Sequence, residues 1–192
     1  MPLYLAVVHY PCSNKQGEVV TTSITNFDIH DIGRSGRTYE CEAVYLVNPV
    51  PSQLWFANRV LEHWTEGAGA EYNWTRKESM SRVQTIEDLV TLTEQLEAKH
   101  GRPPVYIATS ARKTHETWGY VAMREKMEAD PDTPWVLLFG TGWGLHKDLM
   151  DEVDYILDPI YGAGDYNHLS VRAAVAIILD RLRGEKWHES KL

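Results

Sequence analysis

Short apolar runs alternate along this chain with segments whose apolar residues recur at helical spacing. Residues 3–9, 43–47, 105–109 and 135–139 are nearly unbroken apolar runs of strand length, with a shorter companion at 155–157. Runs without polar alternation suit strands buried on both faces. Between them, residues 28–39, 52–64, 85–100, 114–128 and 169–183 space their apolar side chains three and four apart, which predicts helices. In the 85–100 segment Thr85 is the expected N-cap and Asp88 stands in the first turn. Ile86, Leu89, Val90 and Leu96 share its apolar face, and Gly101 is the stop. Residues 67–82 mix glycines with aromatic and basic side chains and read as a surface loop of substrate-contacting composition. Strands alternating with helices predict an α/β fold, a mostly parallel sheet flanked by helices.

Composition narrows this picture. A length of 192 residues suits one core, so residues 1–184 are expected to form a single domain and residues 185–192 a polar tail. No window approaches the roughly 18 apolar residues of a membrane span. The first residues lack the basic region and long apolar stretch of a secretory leader. Cys12 and Cys41 have no metal-type spacing and suit a reducing compartment, so a cytoplasmic protein without a metal is expected. A formal charge of −8 argues against a uniformly basic nucleic-acid binder. Even so, Arg34, Arg37, Arg76, Lys77 and Arg82 are interleaved with Tyr39, Tyr72 and Trp74 in the first half.

Candidate chemistry concentrates late in the chain. In WVLLFGTGWGL, residues 135–145, an apolar strand runs into glycines at 140, 142 and 144. Glycines there let main-chain N–H and C=O groups approach a flat ligand closely. The dinucleotide pattern G-x-G-x-x-G fails, because its third glycine would fall on Leu145 and the loop lies far from the first βαβ unit. Neither G-x-x-x-x-G-K-[ST], G-x-S-x-G nor H-E-x-x-H occurs. A second loop follows in DPIYGAGDYNHLSVRAAVAIILDRL, residues 158–182. There Asp165, Asn167, His168 and Ser170 precede a helix whose AAVAIIL run is apolar nearly all round, as at a subunit interface.

In order and spacing these two loops resemble the last two motifs of the SPOUT superfamily of RNA methyltransferases. The likeness is strongest to the small bacterial family found alone or fused to a tRNA guanine-N1 methyltransferase, and it runs over essentially the whole chain. The stretch NFDIHDIGRSGRTYECEAVYLV resembles the first motif of the ribose 2′-O branch, with Asp31, Gly33 and Arg37 at the motif positions and Arg34 as the alternative arginine. The resemblance implies a C-terminal deep trefoil knot, a homodimer, and S-adenosylmethionine (SAM) held by Thr109, Phe139, Gly140, Thr141, Gly142, Gly144, Leu145, Leu157, Ile160, Asn167, His168 and Leu169. It implies methyl transfer to RNA, expected to be tRNA, with ribose 2′-O favoured over base nitrogen. Arg37 is then the substrate-aligning catalytic residue and His168 the base, imidazole being the side chain that ordinarily titrates near neutral pH. Two departures stand out. Thr141 and Gly142 replace the usual glutamate, and Tyr166, Asn167 and His168 replace a Ser-Leu-Asn triplet. With the acidic charge, they keep a nonenzymatic SAM-binding or RNA-binding module as the alternative.

Overall fold

The computed structural model describes residues 1–113 and 116–185. The chain runs β1 Leu3–Val8, β2 Cys12–Ser13, β3 Val19–Val20, α1 Asn26–Thr38, β4 Ala43–Val47, α2 Pro51–Thr65, α3 Ala68–Tyr72, α4 Trp74–Met80 and β5 Val83–Ile86. It continues through α5 Leu89–His100, β6 Val105–Ala108, α6 Tyr120–Ala129, β7 Trp135–Gly140, α7 Lys147–Glu152, β8 Tyr155–Ile156 and α8 Val171–Arg183. Six strands form one sheet in the order β5-β4-β1-β7-β6-β8, every pair parallel.

Both faces of this sheet are covered, which is why its central strands lack polar alternation. On β1, Leu3, Leu5 and Val7 point into a cluster with Ile29 and Ile32 of α1, Ala57 and Leu61 of α2, Met80 of α4, Met123 and Met127 of α6, and Ile178 and Leu179 of α8. The alternate residues Tyr4, Ala6 and Val8 join Leu92 and Leu96 of α5 and Met150 of α7 on the opposite face. The result is three layers with the strand ends free to carry loops.

Several boundaries differ from the expectation, four of them for a visible local reason. Residues 83–86, Val-Gln-Thr-Ile, are claimed by the sheet edge as β5, pairing with residues 44–47, so Thr85 is a strand residue and not a helix cap. Asp88 caps α5 instead, its carboxylate accepting the Thr91 N–H at 2.7 Å. The loop expected over 67–82 folds into α3 and α4, because Asn73 caps α4 by accepting the Arg76 N–H at 3.0 Å and Met80 is drawn into the core. The helix expected over 114–128 begins at Tyr120. Residues 114 and 115 lie outside the described residues, and Trp118 is bound to the end of β8, its N–H donating to the Ile156 carbonyl at 2.7 Å. Finally, α8 starts at Val171, with the Ser170 hydroxyl accepting the Ala173 N–H at 3.3 Å. Of the expected tail, residues 186–192 lie outside the described residues.

Candidate functional site at the carboxyl ends of the strands

Gly140 ends β7 at a place where no side chain fits, since a Cβ there would stand 2.4 Å from the backbone nitrogen of Leu145. The chain then turns on itself, the Gly144 N–H donating to the Thr141 carbonyl at 3.0 Å. Gly142, at φ 62, supplies the left-handed corner that this turn requires. Its loop is anchored from beneath: the Thr141 hydroxyl donates to the Val8 carbonyl at 3.2 Å and bonds the Thr22 hydroxyl. Ser13 adds a ladder contact, donating its N–H to the Gly144 carbonyl at 2.9 Å.

Two more loops close the space above. After β6, the Thr109 hydroxyl donates to the Leu138 carbonyl at 2.9 Å, fixing the start of the 109–112 loop on the end of β7. The loop before α8 is tied to it by the Asn167 side-chain N–H, which donates to the Ala111 carbonyl at 2.5 Å. Arg112 in turn donates to the Trp143 carbonyl at 3.1 Å, so the three loops hold one another. Together they enclose a cavity of about 760 Å³ outside the carboxyl ends of the strands, where ligands of open parallel sheets bind.

Ten of the twelve residues expected to hold the cofactor line this cavity: Thr109, Phe139, Gly140, Thr141, Gly142, Gly144, Ile160, Asn167, His168 and Leu169. Two do not. Leu145 is buried beneath the loop, bridged to Cys12, and Leu157 is buried in the core with its N–H on the Ala108 carbonyl at 3.0 Å. Both support the walls from behind. Arg37 also lies off the cavity, because its guanidinium bridges Glu40 and Glu78 on the outer side of α1. These carboxylates hold its pKa above the ordinary arginine value. Arg34 has no ion pair among the described residues and lines a groove of about 460 Å³ between α1 and α8, beside Asp31 and Arg172. Gly33, given a motif role, packs its bare face against Met80 and Val83.

Sequence reasoning missed the wall contributed by Thr22, Ser23, Thr25 and Asp28. Only the fold reveals it, because the β2–β3 ribbon carries that segment back over the strand ends. Asp28 is only 7% exposed, accepts the Thr25 hydroxyl at 2.6 Å and lies 3.8 Å from Arg172. Asp158 supplies a second carboxylate, held by the Thr117 hydroxyl and by Lys113 at 3.5 Å. Its place in DPIYG was the one available signal.

The cavity fits SAM on three counts. Its volume lies within the roughly 300–1,000 Å³ of small-molecule sites. The glycine loop offers exposed main chain for an adenine edge, backed by Phe139, Ile160 and Ile178. The carboxylates of Asp28 and Asp158, whose charge is shared with Arg172 and Lys113, add hydrogen-bond acceptors to the wall for the amino group of the ligand. Among the described residues no group of three or more His, Cys, Asp or Glu side chains could hold a metal ion.

Comparison with known proteins agrees with this geometry. A family model described as SAM-dependent RNA methyltransferase matches residues 2–184. An uncharacterized protein of Aquifex aeolicus (strain VF5) is 43% identical over 180 residues, covering 94% of this chain and 87% of the relative. A tRNA (guanine-N(1)-)-methyltransferase of Oleidesulfovibrio alaskensis is 40% identical over 183 residues, covering 95% of this chain. The chain spans only 42% of that relative's length. The SpoU methyltransferase AviRb from Streptomyces viridochromogenes, solved in complex with AdoMet, superposes with a TM-score of 0.55 at 16% identity, covering 95% of this chain and 56% of that one. At that identity the likeness is one of fold. The chain belongs to the family of SAM-dependent RNA methyltransferases.

Proposed function

We propose that the protein methylates tRNA, with a ribose 2′ oxygen favoured over a base nitrogen as acceptor, and that it works as a cytoplasmic homodimer. The observation that carries the reading is the cavity itself, where three interlocked loops present exposed main chain and two carboxylates at the strand ends. The relative named as a tRNA methyltransferase supports the choice of RNA, and the likeness of residues 26–47 to the ribose-methylating branch supports the oxygen. No helix among the described residues is long and apolar enough to cross a membrane.

Bound SAM supplies an electrophilic methyl group on a sulfonium sulfur. The chain's own task is positioning: Thr109, the glycine loop and Asn167 hold the donor, and the acceptor oxygen must be brought in line within about 3–3.5 Å of the methyl carbon. His168 lies on the cavity wall, where its imidazole would accept the proton that the acceptor hydroxyl gives up when its oxygen takes the methyl and the methyl–sulfur bond breaks, leaving a neutral thioether. A guanidinium stays protonated, so an arginine serves to grip phosphate and align substrate. Arg34, without an ion pair among the described residues and lining the α1–α8 groove, takes that part in place of Arg37. The same reading includes the C-terminal threading. In its support, β8 pairs outside β6, and α8 then returns to pack on α1 and β7.

Incubating the protein with labelled SAM and tRNA from a strain lacking it, then mapping nucleosides by mass spectrometry, tests the reading. A 2′-O-methylnucleoside is expected. A base-methylated product overturns the choice of oxygen, and absence of any transferred label favours the nonenzymatic module.

A further inference from the structure

Each of the three loops that close the cavity carries a planar group at its rim. Trp143 sits at the second corner of the Thr141–Gly144 turn, 53% exposed. Arg112, on the loop after β6, places its guanidinium 6.0 Å from the indole centroid and grips the Trp143 carbonyl. The loop before α8 adds Tyr166, 76% exposed, packed edge-on against His168 with ring centroids 5.5 Å apart. Trp143, Arg112 and His168 all line the cavity.

A lone exposed aromatic on a protein surface needs no explanation. This one differs because it is held. Gly142 at φ 62 and the Gly144-to-Thr141 hydrogen bond fix the main chain on either side of residue 143, whose carbonyl Arg112 holds. Arg112 has no carboxylate partner among the described residues, so its charge is available to a phosphate. The neighbouring Lys113, by contrast, is paired with Asp158. A large flat apolar face beside a cation with no carboxylate partner among the described residues, on a cavity that a nucleotide enters, matches the needs of single-stranded RNA. Unpaired bases stack on aromatic rings and guanidinium planes, whereas bases inside a duplex keep their faces covered.

We propose that Trp143 and Arg112, together with the Tyr166–His168 pair, form a stacking rim that receives an unpaired nucleotide of the RNA. The indole takes the base face, Arg112 takes the adjoining phosphate, and a base-paired target is admitted only after extrusion. Selection is for an unpaired nucleotide rather than for a particular base, since every base presents a π face. The inference rests on RNA entering this cavity, as read above.

The test uses the full chain and a binding readout independent of methyl transfer. A single-stranded oligoadenylate and a self-complementary duplex are titrated by fluorescence anisotropy, and SAM by calorimetry. Trp143→Ala is expected to weaken oligoadenylate binding on the order of tenfold, with Trp143→Phe recovering most of it and SAM affinity within about twofold of the parent. Arg112→Ala is expected to lower the slope of log affinity against log salt by about one, the signature of one lost phosphate contact. Unchanged oligoadenylate affinity in Trp143→Ala overturns the proposal, as does equal affinity for the duplex. Parallel loss of SAM affinity also overturns it, because the indole would then serve the cofactor. Thermal melting of each variant separates lost contacts from lost folding. Failure of the parent to transfer methyl groups to tRNA bears on the proposed function alone.

Discussion

The Nδ1 atom of His9 lies 2.9 Å from the hydroxyl of Thr22, and through that hydroxyl reaches Thr141 in the glycine loop. Each hydroxyl has a single hydrogen to give. An ordering from His9 Nδ1–H to Thr22, from Thr22 to Thr141, and from Thr141 to the Val8 carbonyl satisfies all of them. Asn48 locks the same segment by donating to the Thr22 carbonyl at 3.1 Å. The loop facing the cavity is therefore fixed from below by a fully buried imidazole, whose Nε2 has no partner among the described residues.

Burial pushes His9 down to about 4, which makes the fold acid-sensitive. Between the ordinary histidine value near 6.5 and that of about 4, the unfolded chain binds a proton that the native chain refuses. Stability is therefore full above the upper value and falls as pH drops through this window, by on the order of 3 kcal/mol in total. His30 and His100 are also lowered by burial and add to the slope. Urea unfolding across the window, compared with His9→Asn, isolates the contribution of His9. The variant keeps a side-chain donor and should show a flatter profile. An identical slope in both proteins assigns the sensitivity to other groups.

Gly140→Ala is expected to be the most damaging single methyl in the glycine loop. The added Cβ would stand 2.4 Å from the Leu145 nitrogen and 2.8 Å from the Gly144 carbonyl carbon, and main chain cannot step aside as a flexible side chain can. Overpacking of this kind costs about 1–3 kcal/mol or more. Gly144→Ala is the comparison. Its Cβ meets nothing within 4 Å, and only the φ of 101 opposes it. Melting curves should rank Gly140→Ala lower than Gly144→Ala, and SAM titration should show weakened binding in both.

The layered sheet was legible in the sequence through its periodicity, and the glycine loop of the cavity through its glycines, while the fuller set of expected cofactor residues came from the family resemblance. Strands buried on both faces read as unbroken apolar runs, and a strand ending in Gly140 and Gly142 marks where main chain is exposed. What stayed hidden is tertiary. The wall formed by Thr22 and Asp28 depends on a two-residue ribbon whose strands are too short to leave a pattern. Arg34 and Arg37 sit three residues apart on the same helix, and nothing local says which is neutralised. The deciding carboxylate, Glu78, comes from α4, a helix in the 67–82 segment whose opening glycines made it read as loop.

SAM should stabilise the protein by mass action, because the cavity exists only in the folded chain. At a free concentration one hundred times the dissociation constant the gain is about 2.7 kcal/mol. For a domain of this size each kcal/mol raises the melting temperature by roughly 2–4 °C, so a shift of about 5–11 °C is expected. A dinucleotide at the same concentration should give none, since the third glycine of its fingerprint is Leu145. A dinucleotide shift matching that of SAM would count against the assignment of the cavity.

Arg34→Ala and Arg37→Ala should separate cleanly, because the two guanidinium groups occupy different surroundings. Arg37 bridges Glu40 and Glu78, fastening α1 to α4 through half-exposed ion pairs whose worth is modest in water. Its removal is expected to lower the melting temperature slightly while leaving methyl transfer close to that of the parent. Arg34 holds no ion pair among the described residues, so its removal costs little stability. Transfer is expected to fall steeply in Arg34→Ala, with SAM affinity nearly intact, because a phosphate grip acts on the substrate and not on the donor. Rescue should be poor in Arg34→Lys if a planar, two-pronged contact is required. Rates measured at saturating SAM, together with calorimetry on each variant, decide the matter. Loss of transfer in Arg37→Ala with a normal rate in Arg34→Ala would restore Arg37 to the catalytic role and require the Glu78 pair to open when RNA binds.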